Sequence, residues 1–245
     1  MRCFKKTVEN LKKHLKSRVL KNFEPNNQII ALFDISNLDI PGNSFVISIS
    51  NGIYTDTRTT KQLMNQMYRS DGVGFEISKF LYSKYKLKQH LPYVNGRVAY
   101  MPMAGGSRRN TDWIGLHFIE DFEILDKKIH FITTLNNKIT LDFPRGKLEK
   151  RLHDIDIVRR THLKILELKS KSWAAYLIYE KDQLMKIFDN CTCAKHQRLK
   201  EIESLRSLND SHVDFLFSNI GIEGPVKEAT KQHYKYNYQR IKKLF

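Results

Sequence analysis

A chain of 245 residues, 41% hydrophobic and 11% aromatic, has enough apolar material for a packed core, which excludes a disordered tether. Its 42 Lys and Arg against 26 Asp and Glu leave a net charge of +16, and that excess selects a polyanionic partner, nucleic acid before an anionic membrane surface. No apolar run approaches the roughly 18 residues of a membrane span, the basic start lacks a signal peptide's apolar stretch and cleavage site, and three cysteines are too few for a disulfide framework, so a cytoplasmic, nucleoid-associated protein without a membrane partner is expected.

Phe4, Val8, Leu11, Leu15 and Val19 recur at steps of four and three, which predicts an N-terminal amphipathic helix with a basic outer face, ended by Pro25-Asn26-Asn27. Strands follow. QIIALFDI (Gln28 to Ile35) and SFVISIS (Ser44 to Ser50) are short and β-rich, and Asn51-Gly52 turns the second into IYTDT as a hairpin. Thr59 to Ser70, with apolar Leu63, Met64 and Met67, reads as a short helix broken by Asp71-Gly72-Val73-Gly74. Those glycines match neither GxxxxGK[ST] nor GxGxxG, so no phosphate loop is expected. Phe75 to Leu91 reads equally as helix or strand, and Asn95-Gly96 then leads into the strand RVAYMP.

Ile114, Leu116, Phe118, Phe122 and Ile124 occupy alternate positions and predict one long half-buried strand. Ile129 to Thr133 and Ile139 to Phe143 alternate likewise around the turn Asn136-Asn137-Lys138, completing a three-stranded antiparallel meander closed by Pro144. From Gly146 the period becomes helical: Leu148 to Leu166, then a second helical run from Trp173 through Phe188. The whole is an α+β fold, a mainly antiparallel β-sheet core with helices following it. It is organised as a basic helix over 1–24, a domain over 28–190 and a helical basic region over 191–245, where Tyr234, Tyr236 and Tyr238 lie among the cations of Lys227 to Phe245.

Nucleophile motifs are missing: there is no GxSxG elbow and no cysteine in a protease signature. Glu120, Asp121, Glu123 and Asp126 cluster near a strand end, where a metal-dependent nuclease would need carboxylates, but alternation with apolar neighbours is also the wet face of an ordinary strand. Cys191-x-Cys193-x-x-His196 offers three zinc donors and needs a fourth from Cys3 or another His. Two free thiols between helices is the plainer reading, so neither a metal nor a cofactor is expected. His117 and His130 fall on adjacent predicted strands as surface or packed residues.

In the loop MPMAGGSRRNTDWI, Arg108 and Arg109 follow two glycines and precede any acid until Asp112. An arginine on such a loop can enter the narrow, electronegative minor groove of A/T-rich DNA, because a guanidinium is less strongly hydrated than an ammonium.

At this loop the chain resembles the ComK family, competence transcription factors of low-GC Gram-positive bacteria. That family has a Pro six residues before an Arg, a Ser or Thr just before that Arg, and Trp-Ile five residues after it. Pro102, Ser107, Arg108, Trp113 and Ile114 reproduce this spacing. Asn136, Lys138 and Pro144 look like the family's Asn-x-Lys turn and strand-closing Pro, and FVISISNGIYTDTRTT is similar to an earlier family strand. The resemblance covers about Gln28 to Asn190, with the His behind the Trp shifted to His117, one extra residue before Pro144, and the basic ends unmatched.

The resemblance implies a non-enzymatic transcriptional activator of DNA-uptake genes that binds paired A/T-rich boxes through the minor groove as a homo-oligomer. RNA polymerase and an adaptor-directed protease are its implied partners. Candidate DNA contacts are Arg97, Arg108, Arg109, Lys138, Arg145, Lys147, Arg159 and Arg160. The alternatives are a metal-dependent nuclease or other mobile-element enzyme using Glu120, Asp121 and Glu123, and a charge-driven RNA-binding or membrane-surface module.

Overall fold

The computed structural model of the chain describes residues 1–15, 23–70, 74–105, 110–143, 146–202 and 204–242. They form a mixed α+β fold with two sheets, and most helices follow the strands. Contacts divide the chain into two units, 1–199 and 200–245.

The expected N-terminal helix from Phe4 is corrected at its start. Arg2–Lys5 is a strand, β1, paired in parallel with β10 (Asn137–Asp142), Phe4 opposite Ile139. Phe4 is buried, so its apolar side chain serves a sheet where the periodicity suggested a helix. The helix itself, α1, spans Val8–His14 and begins at Thr7, whose side chain accepts from Asn10 N. Residues 16–22, including Val19, lie outside the described residues.

Strands β2 (Ile29–Asp34), β3 (Ser44–Ser48) and β4 (Gly52–Asp56) match the expected hairpins. Gly52 supplies the φ of +73° that its turn requires. Nearly every residue of β2 and β3 is buried, so both faces of this part of the sheet are covered. One cover is α2 (Thr60–Ser70), whose Leu63, Met64, Met67 and Tyr68 join Ile29, Leu32, Val46, Tyr54 and Trp113 in a single core cluster. The ambiguous stretch after it, Phe75 to Leu91, is helical only as far as Lys84, as α3 (Gly74–Lys84). The hairpin β5 (Tyr93–Asn95) and β6 (Val98–Pro102) and the short β7 (Trp113–Gly115) complete a six-stranded sheet of order β4-β3-β2-β7-β6-β5.

The single long strand expected from Ile114 to Ile124 is two strands in different sheets. The chain leaves the first sheet at Gly115, where a Cβ would meet Ile29 O at 3.0 Å and Tyr100 Cε1 at 3.1 Å. A 3₁₀ turn over Leu116–Phe118 follows, then β8 (Ile119–Leu125). Beyond the bend the alternation no longer marks the buried face: Ile119 is fully buried while Ile124 is 51% exposed, with a register shift between Ile119 and Asp121. β8, β9 (Lys128–Thr133) and β10 form the expected meander inside a four-stranded sheet, β1-β10-β9-β8.

Helix α4 (Leu148–Ser172) contacts α3, β5 and β6, and its first four turns are largely buried. It stops after Ser172: Ala174 takes φ +54°, and Ala175 N donates back to Ser170 O. The second helical run expected from Trp173 is therefore mostly irregular, and only α5 (Gln183–Ile187) is helical before α6 (Ala194–Lys200). In the second unit, α7 (Leu205–Asn219) and α8 (Gly224–Lys242) are held together by Lys231 Nζ, 2.8 Å from Asp214. No helix among the described residues is long and apolar enough to cross a membrane.

Candidate metal centre

His153 lies on the second turn of α4, and Cys191, Cys193 and His196 lie on the stretch entering α6. Cys193 sits just before that helix, and its carbonyl accepts from Gln197 N at 3.0 Å. The short helix turns His196 back toward the thiols. Cys193 Sγ is 3.3 Å from His196 Nδ1 and 3.3 Å from His153 Nε2, and Cys191 Sγ is 3.5 Å from the same Nε2. All four donor atoms lie within 4.8 Å of one another. A tetrahedral Zn²⁺ with ordinary Zn–S and Zn–N bonds has donor–donor edges of about 3.3–3.8 Å, so the sulfur–nitrogen spacings already suit one. Two thiolates with two imidazoles favour zinc over harder cations.

The far side of each imidazole faces a carboxylate. His196 Nε2 is 3.0 Å from Asp156 Oδ2, and His153 Nδ1 is 3.8 Å from Asp154 Oδ1. Both aspartates are buried on α4, one and three residues beyond His153. A carboxylate behind a ligating histidine fixes its tautomer and strengthens it as a donor. The 3.0 Å contact of His196 Nε2 with Asp156 turns His196 Nδ1 toward the thiols, whereas Asp154, at 3.8 Å, is beyond hydrogen-bond distance of His153 Nδ1. Asp156 Oδ2 is also 2.6 Å from Arg160 Nε, and Asp154 Oδ1 is 3.3 Å from Lys195 Nζ. Burial pushes the Cys193 thiol up, but hydrogen bonds with His196, Cys191 and His153 outweigh it and bring the thiol down to about 6. A thiolate is the form a metal needs.

This cluster overturns the expectation that the chain is not an enzyme, and it gathers metal donors where no metal was expected. Four convergent metal donors, of which only His196 is fully buried, are the makings of a reachable metal centre. Three of the four were visible in C-x-C-x-x-H. The fourth, His153, precedes Cys193 by 40 residues on another element, beyond any local pattern.

Other candidates fare differently. Arg159 is corrected as a DNA contact: it is 1% exposed and ion-paired with buried Asp182. Arg160 is corrected likewise, because it bridges Asp156 and Asp189, the latter at 3.0 Å. Both are consumed in holding residues 182–189 against α4. Lys147 is exposed ahead of α4, Lys138 is half-buried on β10, and Arg97 is half-buried in the β5–β6 hairpin with its Nε enclosed. Arg108, Arg109 and Arg145 lie outside the described residues, as do Ser107 and Pro144. The loop's flanks are closed as a hairpin: Pro102 pairs with Trp113, Met103 N donates to Asp112 O, and Ala104 N donates to Thr111 Oγ1.

Glu120, Asp121 and Glu123 are exposed along β8 and form no metal-holding group among the described residues. His117 and His130 are packed residues. The ring of His117 lies against the Ala99 and Asn27 carbonyls, and His130 Nδ1 against Thr140 Oγ1. Compared with known proteins, the chain matches no family model, no curated protein and no solved structure.

Proposed function

We propose that the chain is a zinc-centred protein that acts on nucleic acid. The observation that carries the metal is the convergence of His153, Cys191, Cys193 and His196, with the His196 imidazole turned by Asp156 on α4. The net charge of +16 supports a polyanionic partner. The resemblance to ComK, with Pro102, Trp113, Ile114 and the Asn136 turn at the family's spacing, supports duplex DNA and a sequence preference for A/T-rich boxes read by Arg108 and Arg109. Homo-oligomeric binding, contact with RNA polymerase and adaptor-directed proteolysis belong to the same reading, as does a basic, amphipathic role for the N-terminal helix. In it, the metal fastens residues 191–199 to α4 and so completes the first unit.

A second reading is favoured by the partial exposure of His153, Cys191 and Cys193. A metal held there would lie near solvent, and if one of the four donors gave way to an incoming oxygen it would supply a Lewis acid for a phosphodiester. One experiment separates the two. Zinc-loaded and chelator-treated protein are incubated with A/T-rich and G/C-rich duplexes at two salt concentrations, and mobility shift and strand cleavage are followed in the same samples. Zinc-dependent, salt-sensitive shifts that favour A/T-rich duplex support the first reading, and zinc-dependent cleavage abolished by Cys193→Ser supports the second. A shift indifferent to salt overturns the nucleic-acid assignment, and zinc that fails to bind overturns the centre.

A further inference from the structure

Between α4 and α5, Trp173 to Tyr179 is an uncharged run, WAAYLIY, that the fold leaves on its surface. Trp173 is 75% exposed, Tyr176 86%, Ile178 93% and Tyr179 40%. Leu177, between the two most exposed, is half-buried, so exposure alternates as it does along a strand with one face outward. Tyr and Ile are strand formers, yet residues 175–182 belong to no helix or strand. Among the described residues, the backbone groups of 176–181 enter no backbone hydrogen bond. The three rings alone leave about 400 Å² open, given their exposures. That is about half of what one partner contributes to a standard interface, and Ile178 adds to it.

The surroundings select the occupant. From Lys164 to Asp189 there are five lysines and four acids, nearly balanced within a chain of +16. Lys171 and Lys181 are moreover paired, with Glu167 at 2.7 Å and Asp189 at 3.0 Å. A polyanion gains little from such a surface, whereas two copies of a cationic chain meet there with little repulsion. A bilayer core would strand the unpaired backbone groups of 176–181. A second copy of the run, laid antiparallel, offers both an apolar face and matching backbone donors and acceptors.

We propose that Trp173 to Tyr179 is a dimer contact, pairing with the same run of a second copy about a two-fold axis near Ile178. It gives the homo-oligomer of the nucleic-acid reading a surface, but it is tested with no duplex present, so either can fail without the other.

The full chain is followed by sedimentation velocity over a concentration series, in salt that screens its net charge. Acrylamide quenching in the same samples reports Trp173, because the other tryptophan, Trp113, is 5% exposed. A concentration-dependent dimer in which Trp173 becomes protected is expected. Ile178→Asp and Ile178→Lys, at an exposed position, should leave the melting curve unchanged and each weaken the dimer by about tenfold or more. An equimolar mixture of the two variants should associate again, because unlike charges then face each other across the axis. A monomer at every concentration overturns the proposal, and so does a dimer indifferent to both substitutions or a pair of variants that fail to complement each other. Binding of the monomer to phosphatidylcholine vesicles that is lost in Ile178→Asp assigns the run to lipid and overturns it as well.

Discussion

Removing the metal, or replacing Cys193 with serine, should loosen the 40-residue loop that the centre closes between His153 and Cys193. Cross-linking a loop of that length withdraws about 13 cal/mol/K from the unfolded chain, or about 4 kcal/mol at 25 °C. A ligand that binds only the folded state contributes that much when its free concentration is about 1,000 times its dissociation constant, which micromolar zinc reaches at a nanomolar site. For a unit of this size the thermal midpoint should rise by about 8–16 °C on zinc loading. Melting curves with buffered zinc and with chelator measure the shift, and hydrogen exchange locates it. Protection should increase over residues 153–196 and change little in the six-stranded sheet. Replacing zinc with Co²⁺ should produce the absorption of a tetrahedral thiolate site. Superimposable melts with and without zinc would refute the reasoning, and so would a zinc-induced rise that persists in both His153→Ala and Cys193→Ser.

Three further outcomes test the surroundings. Asp156→Asn keeps the side-chain volume but removes the carboxylate behind His196, so zinc affinity measured by competition with a chromophoric chelator should fall about 10- to 100-fold; unchanged affinity would reduce Asp156 to a partner of Arg160. Arg159→Met removes the guanidinium ion-paired with buried Asp182 and should cost about 3–5 kcal/mol in urea unfolding, while Arg159→Met with Asp182→Leu should recover most of it; a harmless single substitution would mean that Asp182 does not depend on Arg159. Burial alone holds the imidazole of His162 down at about 4, against an ordinary 6.5. Above pH 6.5 both states are neutral and its contribution is complete. As pH falls toward 4 the unfolded chain takes up a proton that the folded chain resists, and about 3 kcal/mol of stability is lost. His162→Leu should flatten that acid limb, and an unaltered limb would place the proton elsewhere.

Period and turn chemistry in the chain were enough to locate β2, β3, β4, α2, the meander and most of α4, because each is a locally written apolar pattern or β-rich run bounded by turn residues. They were not enough for Phe4, whose apolar spacing serves a parallel strand, or for Ile114 to Ile124, where alternation continues across a change of sheet. The arginines show the same limit. Arg159 and Arg160 are indistinguishable from free cations until Asp182 and Asp189, more than twenty residues downstream, are folded against α4. The metal centre divides along this line. C-x-C-x-x-H lies within six residues and was legible as an incomplete donor set. Its completion required His153 and the aspartate that orients His196, both on a helix some 40 residues earlier. Net charge and local pattern are properties of composition and near neighbours, so the sequence by itself determined the excess of cations and those strands and helices whose pattern is local. Which donors converge depends on how a long helix packs against the segment that follows it, and only the tertiary structure decided that.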